Sequence, residues 1–112
     1  ELLVNITNDG WFQRSAASFL HLQGSVLQAV SNRRALVRAA NTGISCFVRP
    51  TGRILRYLEG PKGQKIFVSG FLTAPATFYQ GKSFYTKFGD VFTYLCFGCI
   101  LMSVFLKKET RR

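Results

Sequence analysis

The sequence predicts an α/β or α+β domain that is followed by one apolar helix. Three observations support this prediction. A strand-type apolar run at residues 1–7 precedes a helical repeat at residues 15–32. Alternating, strand-type runs then follow between residues 35 and 73, and residues 91–106 contain no charged side chain. A strand, a helix and several further strands in this order are typical of mixed α/β architectures.

The first strand and the helix are predicted from local patterns. Residues 1–7 are rich in apolar side chains and end at a turn signal formed by residues 8–10. The apolar side chains of the next segment are Ala16, Phe19, Leu20, Val26, Leu27 and Val30. Their spacing is helical, and Ser15 is placed to cap the N-terminus of that helix.

Short strands are predicted in the middle of the chain. They are residues 35–39, 44–48, 54–58 and 65–73. A turn at residues 50–53, with the sequence Pro-Thr-Gly-Arg, joins the second and third of these strands into a hairpin.

The composition limits the class of protein. The 112 residues include 15 Lys and Arg against 5 Asp and Glu, a net charge of +10, and 47% of them are hydrophobic. Such apolar content excludes a disordered or collagen-like chain, and the length allows one domain at most. The positive charge suggests nucleic acid or an anionic membrane as a partner. No zinc-finger, RNP-like or helix-turn-helix pattern accompanies it, so we expect no nucleic-acid partner.

The three cysteines do not form a recognisable site. Cys96 and Cys99 have C-x-x-C spacing, but they lie inside an apolar run and no second pair accompanies them. Cys46 falls in an alternating run that is typical of a strand. We therefore expect all three to be small apolar residues, and we expect no metal site.

The uncharged run at residues 91–106 is predicted to be a transmembrane helix. Its 16 residues fall just short of the usual lower limit of about 17. The flanking residues that favour a membrane are Tyr85, Phe88, Phe92, Tyr94, Lys107 and Lys108, an aromatic belt followed by lysines that reach headgroups. A buried core helix is the alternative. By the positive-inside rule the tail at residues 107–112 is cytoplasmic and residues 1–88 lie on the outer face.

The start of the chain favours a fragment. Glu1 is followed directly by an apolar run, without an initiator Met and without the features of a signal peptide. The length also leaves little room for both a buried core and an elaborate pocket, which argues against a large self-contained enzyme. We expect the chain to begin inside a structural element.

Residues 3–12, LVNITNDGWF, resemble the segment LLVNISNDAWF of the apolipoprotein N-acyltransferases, the membrane members of the nitrilase superfamily. The likeness continues through an H-x-Q pair, two spaced arginines, an N-x-G turn and a P-x-G turn. These positions are His21, Gln23, Arg34, Arg38, Asn41, Gly43, Pro50 and Gly52. Tyr85, Gly89 and Asp90 resemble the family's approach to its last membrane helix. The resemblance covers nearly the whole chain.

The resemblance implies a fold and a location. It implies the C-terminal half of an αββα nitrilase-like sandwich followed by one C-terminal transmembrane helix. The implied segments are a nitrilase-like part at residues 1–76, an aromatic juxtamembrane linker at 77–90, the transmembrane helix at 91–106 and a basic cytoplasmic tail at 107–112. It also implies the bacterial inner membrane, with the nitrilase-like part on the periplasmic face.

The resemblance implies a reaction as well. Family members transfer an acyl chain from a phospholipid donor to the N-terminal diacylglyceryl-cysteine of a lipoprotein acceptor. The acyl group passes through a thioester on a cysteine, with a glutamate as general base and a lysine that stabilises the oxyanion. The family places these three residues upstream of this chain, so Cys46, Cys96 and Cys99 do not replace the nucleophile. No cofactor is implied, and we expect the chain alone to be inactive.

Asn8, Asp9, Trp11 and Phe12 are the candidate substrate-pocket residues. They form the loop at the carboxyl end of a strand, where α/β folds usually place their pockets. We expect Trp11 and Phe12 to line the acyl-chain entry, while Asn8 and Asp9 fix the shape of the loop. The alternative is a simple turn with Trp11 as a core anchor. Packing or bracing roles are expected for His21, Arg38, Asn41 and Gly43.

Two departures from the family pattern stand out. Gln13 follows the Trp-Phe pair where family members usually have a glycine, and residues 28–31 read QAVS where they commonly have R-A-L-E. These changes, Ser31 among them, allow a diverged or weakly active parent enzyme. A non-enzymatic, tail-anchored membrane protein whose basic tail contacts anionic lipid is the alternative function. A basic nucleic-acid-binding module is the third.

Overall fold

The structure, a computed structural model, describes residues 1–76 and 78–109. The strands are β1 (Leu2–Asn8), β2 (Ala35–Asn41), β3 (Cys46–Val48) and β4 (Ile54–Tyr57). The helices are α1 (Ala17–Asn32), α2 (Phe84–Phe88) and α3 (Val91–Glu109), and a short 3₁₀ turn at Gly10–Phe12 follows β1. This mixed architecture confirms the predicted α/β class.

The four strands form one sheet in the order β1-β2-β3-β4. β1 and β2 are parallel, because α1 carries the chain back between them, and the other two pairs are antiparallel. Leu2 lies opposite Ala35 and Asn8 lies opposite Asn41. The carboxyl ends of β1 and β2 therefore meet at the same edge of the sheet.

The core lies between α1 and one face of the sheet. Its buried apolar residues are Leu22, Ala29, Leu36, Ile44, Cys46 and Val48. The other face of β1 is open within the described part of the chain, since Val4 and Ile6 are exposed. One helix on one face of the sheet is thus the layering that the structure shows.

The predicted helix is confirmed, with a small difference at its start. Ala16 occupies the N-cap position of α1, although Ser15 Oγ accepts a hydrogen bond from the Ala17 N–H at 3.3 Å. Arg33 is the C-cap that follows α1. It has the left-handed conformation (φ 49°, ψ 48°) and donates its N–H to the Val30 carbonyl at 3.1 Å.

The predicted hairpin is present as β3 and β4, and both strands are shorter than the sequence suggests. The further strand predicted at residues 65–73 is wrong. Phe67 has a positive φ of 56°, which breaks an extended run, and its N–H donates to the carbonyl of Thr42 at 2.9 Å. The carbonyl of Thr73 instead accepts from the Arg56 guanidinium at 3.2 Å. The backbone of this segment is thus bonded to loops and side chains.

The predicted membrane segment is helical, as part of α3, but it does not qualify as a span. Within the described residues no helix combines the length and the apolar character that crossing a membrane requires. The uncharged 16 residues cover about 24 Å, against about 30 Å for a hydrocarbon core. The described part of the chain does not bury this helix, because the apolar side chains from Phe92 to Leu106 are exposed.

The remaining predicted segments are partly visible. The predicted linker contains α2, whose N-cap Ser83 accepts a hydrogen bond from the Thr86 N–H at 2.9 Å. Thr77 lies outside the described residues, and so does the end of the predicted basic tail at residues 110–112.

Candidate functional site

The loops that follow β1 and β2 are tied together at the carboxyl edge of the sheet. The Asp9 N–H donates to the Asn41 carbonyl at 3.0 Å. Asn41 Nδ2 donates to Asn8 Oδ1 at 3.0 Å, and the same oxygen accepts from the Gly10 N–H at 3.1 Å. The parallel register therefore brings together the two turns that the sequence singles out.

A buried ion pair lies beneath these loops. Asp9 and Arg38 are only 1% and 2% exposed. Arg38 Nη2 donates to Asp9 Oδ2 at 3.1 Å and lies 3.4 Å from Oδ1. Burying two charges costs desolvation free energy that their attraction offsets only if the remaining donors and acceptors are also bonded.

The remaining Arg38 donors are bonded. Nη1 donates to Ser25 Oγ at 2.7 Å and to Asn5 Oδ1, and Nε donates to the Ile44 carbonyl at 3.2 Å. The guanidinium thereby connects β1, α1, β2 and the loop before β3. An arginine suits a position that contacts four elements, because its planar guanidinium carries five N–H donors. A lysine would offer a single ammonium group there.

His21 is the third member of this cluster. Its Nδ1 lies 2.8 Å from Asp9 Oδ1 and 3.2 Å from Arg38 Nη2. We assign the proton to Nδ1, because the shorter contact is to a carboxylate that can only accept. The Phe12 ring meets the imidazole edge-on, with centroids 5.7 Å apart and planes at 88°. His21 thus links the buried acid to the loop after β1.

Gly43 leaves the space that the Asp9 carboxylate occupies. A Cβ at position 43 would lie 2.1 Å from Asp9 Oδ2 and 2.8 Å from Asp9 Cβ. The positive φ in this turn belongs to Thr42, at 62°. Gly43 is therefore needed for close approach, not for its backbone conformation.

The candidate pocket residues divide into two groups. Asn8 and Asp9 lie in the cluster with His21, Arg38, Asn41 and Gly43. In the described part of the chain Trp11 is 89% exposed and Phe12 is 36% exposed. The Trp11 side chain is thus exposed, while Asn8 and Asp9 bond the loop to the neighbouring elements.

Asn5 and Ser25 are members of the cluster that the sequence interpretation missed. The position of each residue in its element could have indicated its role. Asn5 is a polar residue at an inward-facing position of an apolar strand, and Ser25 lies four residues after His21, on the same helix face. A polar residue at an inward position usually has a polar partner.

A cavity of about 430 Å³ opens beside this cluster, between α1 and the unpaired edge of β1. Its polar lining includes Asn5, His21, Ser25 and Gln28, and its apolar lining includes Leu3 and Leu36. A mixed lining of this kind can accommodate a group with both polar and apolar parts.

The thiol of Cys46 is not activated. Burial raises the pKa of the Cys46 thiol from 9.0 to about 11, and the nearby Arg38 charge opposes this only in part. Cys96 and Cys99 lie exposed on α3. Among the described residues, no group of three or more His, Cys, Asp or Glu side chains could hold a metal ion.

The fold and the cluster define a class of protein. The chain contains a parallel strand pair joined by a crossover helix, and polar residues lie at the carboxyl ends of those strands. This arrangement is typical of mixed α/β domains that place their functional site in the loops after the strands. No protein-family model matches the chain.

Curated relatives give the particular resemblance. The chain is 44% identical over 95 residues, 85% of its length, to the apolipoprotein N-acyltransferase of Geobacter metallireducens. It is 37% identical over 108 residues (96%) to that of Thermotoga maritima and 33% identical over 102 residues (91%) to that of Nitrosomonas europaea. The matched regions are 17%, 20% and 19% of these relatives, so the chain spans about a fifth of their length. The predicted resemblance to apolipoprotein N-acyltransferases is confirmed.

Proposed function

We propose that the chain is the C-terminal part of an apolipoprotein N-acyltransferase. The complete enzyme would transfer an acyl chain from a phospholipid to the N-terminal diacylglyceryl-cysteine of a lipoprotein, through a thioester on a cysteine. The observation that carries this proposal is the 37% identity over 96% of the chain to a relative of that name, of which the chain covers only 20%. By the same resemblance we assign the enzyme to the bacterial inner membrane, with the sheet on the periplasmic face.

The buried thiol of Cys46 is unsuited to act as the nucleophile. A thioester requires a thiolate near neutral pH, and the raised pKa of Cys46 keeps that buried thiol protonated. From the family resemblance we place the nucleophilic cysteine, the glutamate base and the oxyanion lysine in the four fifths of the enzyme that the chain does not cover.

The open face of the sheet supports a nitrilase-like sandwich. Val4 and Ile6 are large apolar side chains on a strand that has no covering layer in the described residues. Two sheets packed face to face bury such side chains in the αββα arrangement. In the complete enzyme we propose that a second sheet covers this face.

A chimera tests the proposed function. The 102 residues that match in the Nitrosomonas europaea relative are replaced by this chain, and transfer of the acyl group is measured by mass spectrometry of a lipoprotein N-terminal peptide. We expect transfer to occur, and to be abolished when the nucleophilic cysteine of the relative is changed to alanine. A chimera that is inserted and folded but transfers no acyl group would contradict the proposal.

Trp11 is proposed to line the acyl-chain entry, since it is a large apolar side chain held in the open at the site edge. In the chimera, Trp11→Ala should raise the KM for phospholipid about tenfold, because partial burial of this side chain against an acyl chain contributes about 1.5 kcal/mol, the lower end of the range for full burial. Its thermal unfolding should not change, since the side chain is 89% exposed. Phe71, which is 93% exposed, provides the matched control as Phe71→Ala. Equal KM values for the two variants would refute the lining role.

A further inference from the structure

We propose that Asp9 and Arg38 are positioning residues that fix the Trp11 loop through His21. This inference rests on the proposed function, because it concerns the acyl-chain entry. It goes beyond that function in assigning the buried ion pair a task distinct from stability.

The position of Asp9 in the chain is the first argument. Asp9 directly precedes the 3₁₀ turn of residues 10–12, and its carbonyl accepts the Phe12 N–H at 3.0 Å. The Asp9 N–H is fixed by the Asn41 carbonyl of β2. The backbone of Asp9 therefore anchors the turn at its start and ties it to the sheet.

Side-chain contacts also connect the two ends of the same turn. The Asp9 carboxylate holds the His21 imidazole at 2.8 Å, and that imidazole packs edge-on against Phe12. The turn is thus held at Asp9 by backbone bonds and at Phe12 by a ring contact. Gly10 and Trp11 are the two residues between these fixed points.

Arg38 fixes the orientation of the carboxylate. The guanidinium reaches Asp9, Ser25 and Asn5 together, so the carboxylate has one defined direction relative to α1 and β1. Burial of an ion pair is a weak source of stability, since apolar residues of similar volume often serve as well. If the pair orients the Asp9 carboxylate, this explains why charged residues occupy a buried position where packing alone would favour apolar side chains.

The test uses the sole tryptophan, Trp11, as the probe in the purified 112-residue chain. The double variant Asp9→Leu/Arg38→Met removes both charges and leaves none unpaired, so the sheet should persist by circular dichroism. We expect the fluorescence anisotropy of Trp11 to fall as the loop loosens. Glu59→Gln breaks an exposed pair in which Lys65 Nζ lies 3.6 Å from the carboxylate, and it should leave the anisotropy unchanged.

A second variant keeps every charge. Gly43→Ala places a Cβ where Asp9 Oδ2 now lies, so the carboxylate must move. Gly98→Ala is the matched control, because a Cβ there meets nothing within 4 Å. We expect lower Trp11 anisotropy for the first variant only. Unchanged anisotropy in both Gly43→Ala and the double variant would overturn the positioning role, whether or not the chimera transfers acyl groups.

The kinetic arm separates positioning from general damage. In the active chimera, the double variant should raise the KM for phospholipid about tenfold, as Trp11→Ala does, and adding Trp11→Ala to it should raise the KM no further. Residues that act through one another give non-additive effects, whereas independent effects would multiply to about 100-fold. A multiplied KM would overturn the inference while leaving the proposed function intact. A chimera without activity would count against the proposed function, and the anisotropy would still decide the positioning role.

Discussion

Gln13 adopts a backbone conformation that suits glycine, and replacing it with glycine should stabilise the fold. Its φ of 49° and ψ of −143° lie near a region that is almost confined to glycine, because a Cβ is crowded there. This is also the position at which the family resemblance leads us to expect a glycine. The departure from the family pattern thus coincides with strained backbone at the end of the Trp11 loop.

The magnitude follows from two opposing contributions. Relief of the strain should contribute about 1–3 kcal/mol. The greater freedom of glycine in the unfolded chain should cost about 0.5–1 kcal/mol. The side chain of Gln13 makes no hydrogen bond within the described residues, and glycine retains the backbone N–H that donates to the Gly10 carbonyl at 3.3 Å. The central values differ by about 1 kcal/mol, so we expect Gln13→Gly to raise the free energy of unfolding by about 1 kcal/mol.

Urea unfolding of the purified chain, kept in mild detergent because α3 exposes apolar side chains, measures this change. Circular dichroism follows the sheet and Trp11 fluorescence follows the loop. Gln13→Ala is the control, because it shortens the side chain and keeps the Cβ, so its free energy of unfolding should stay within about 0.5 kcal/mol of the parent. A glycine variant no more stable than the alanine variant would refute the argument from strain.

Two further predictions concern residues away from the loop. Because burial raises the pKa of Cys46 from 9.0 to about 11, the unfolded chain loses this proton first, and stability should decline by up to about 2–3 kcal/mol as the pH rises from 9 to 11. Urea unfolding at pH 8 and pH 11 should show a smaller decline in Cys46→Ala, and an equal decline would exclude this thiol as the cause. Ser83→Ala should lower the free energy of unfolding by about 1 kcal/mol, since Ser83 accepts the Thr86 N–H and donates to the Ser31 carbonyl. A Ser83→Thr variant as stable as the parent would support the capping role. A Ser83→Ala variant with the same urea midpoint as the parent would contradict it.

The order of the elements was readable from the sequence because local patterns determine it. The helical spacing at residues 15–32 and the turn signal at 50–53 correspond to α1 and to the hairpin. The segment at residues 65–73 has the apolar content of a strand, but a strand also needs a partner edge. The positive φ of Phe67 and its bond to Thr42 commit that backbone elsewhere, and neither is visible in composition.

The candidate site was readable only in part. The sequence places Asn8 and Asn41 in turns that each follow a strand, and the structure shows that parallel pairing of those strands brings the two side chains together. The contact between Asp9 and His21 was not predictable, because it depends on how α1 crosses the sheet. Gly43 shows a similar limit: the sequence indicates a turn glycine, and the structure shows that the reason is space for a carboxylate.

The charge balance of the chain makes Asp9 hard to replace. The chain has 15 basic and 5 acidic residues. The two other acidic side chains found in ion pairs, Glu1 and Glu59, are exposed and pair with Arg34 and Lys65. Loss of Asp9 alone would therefore leave Arg38 as an uncompensated charge in the core, which costs several kcal/mol. Loss of Arg38 alone would leave a buried carboxylate that is bonded to His21 at 2.8 Å and to the Thr7 hydroxyl at 3.4 Å. A sequence that keeps this fold without the pair must change both residues together, and it must then hold the Trp11 loop by other means.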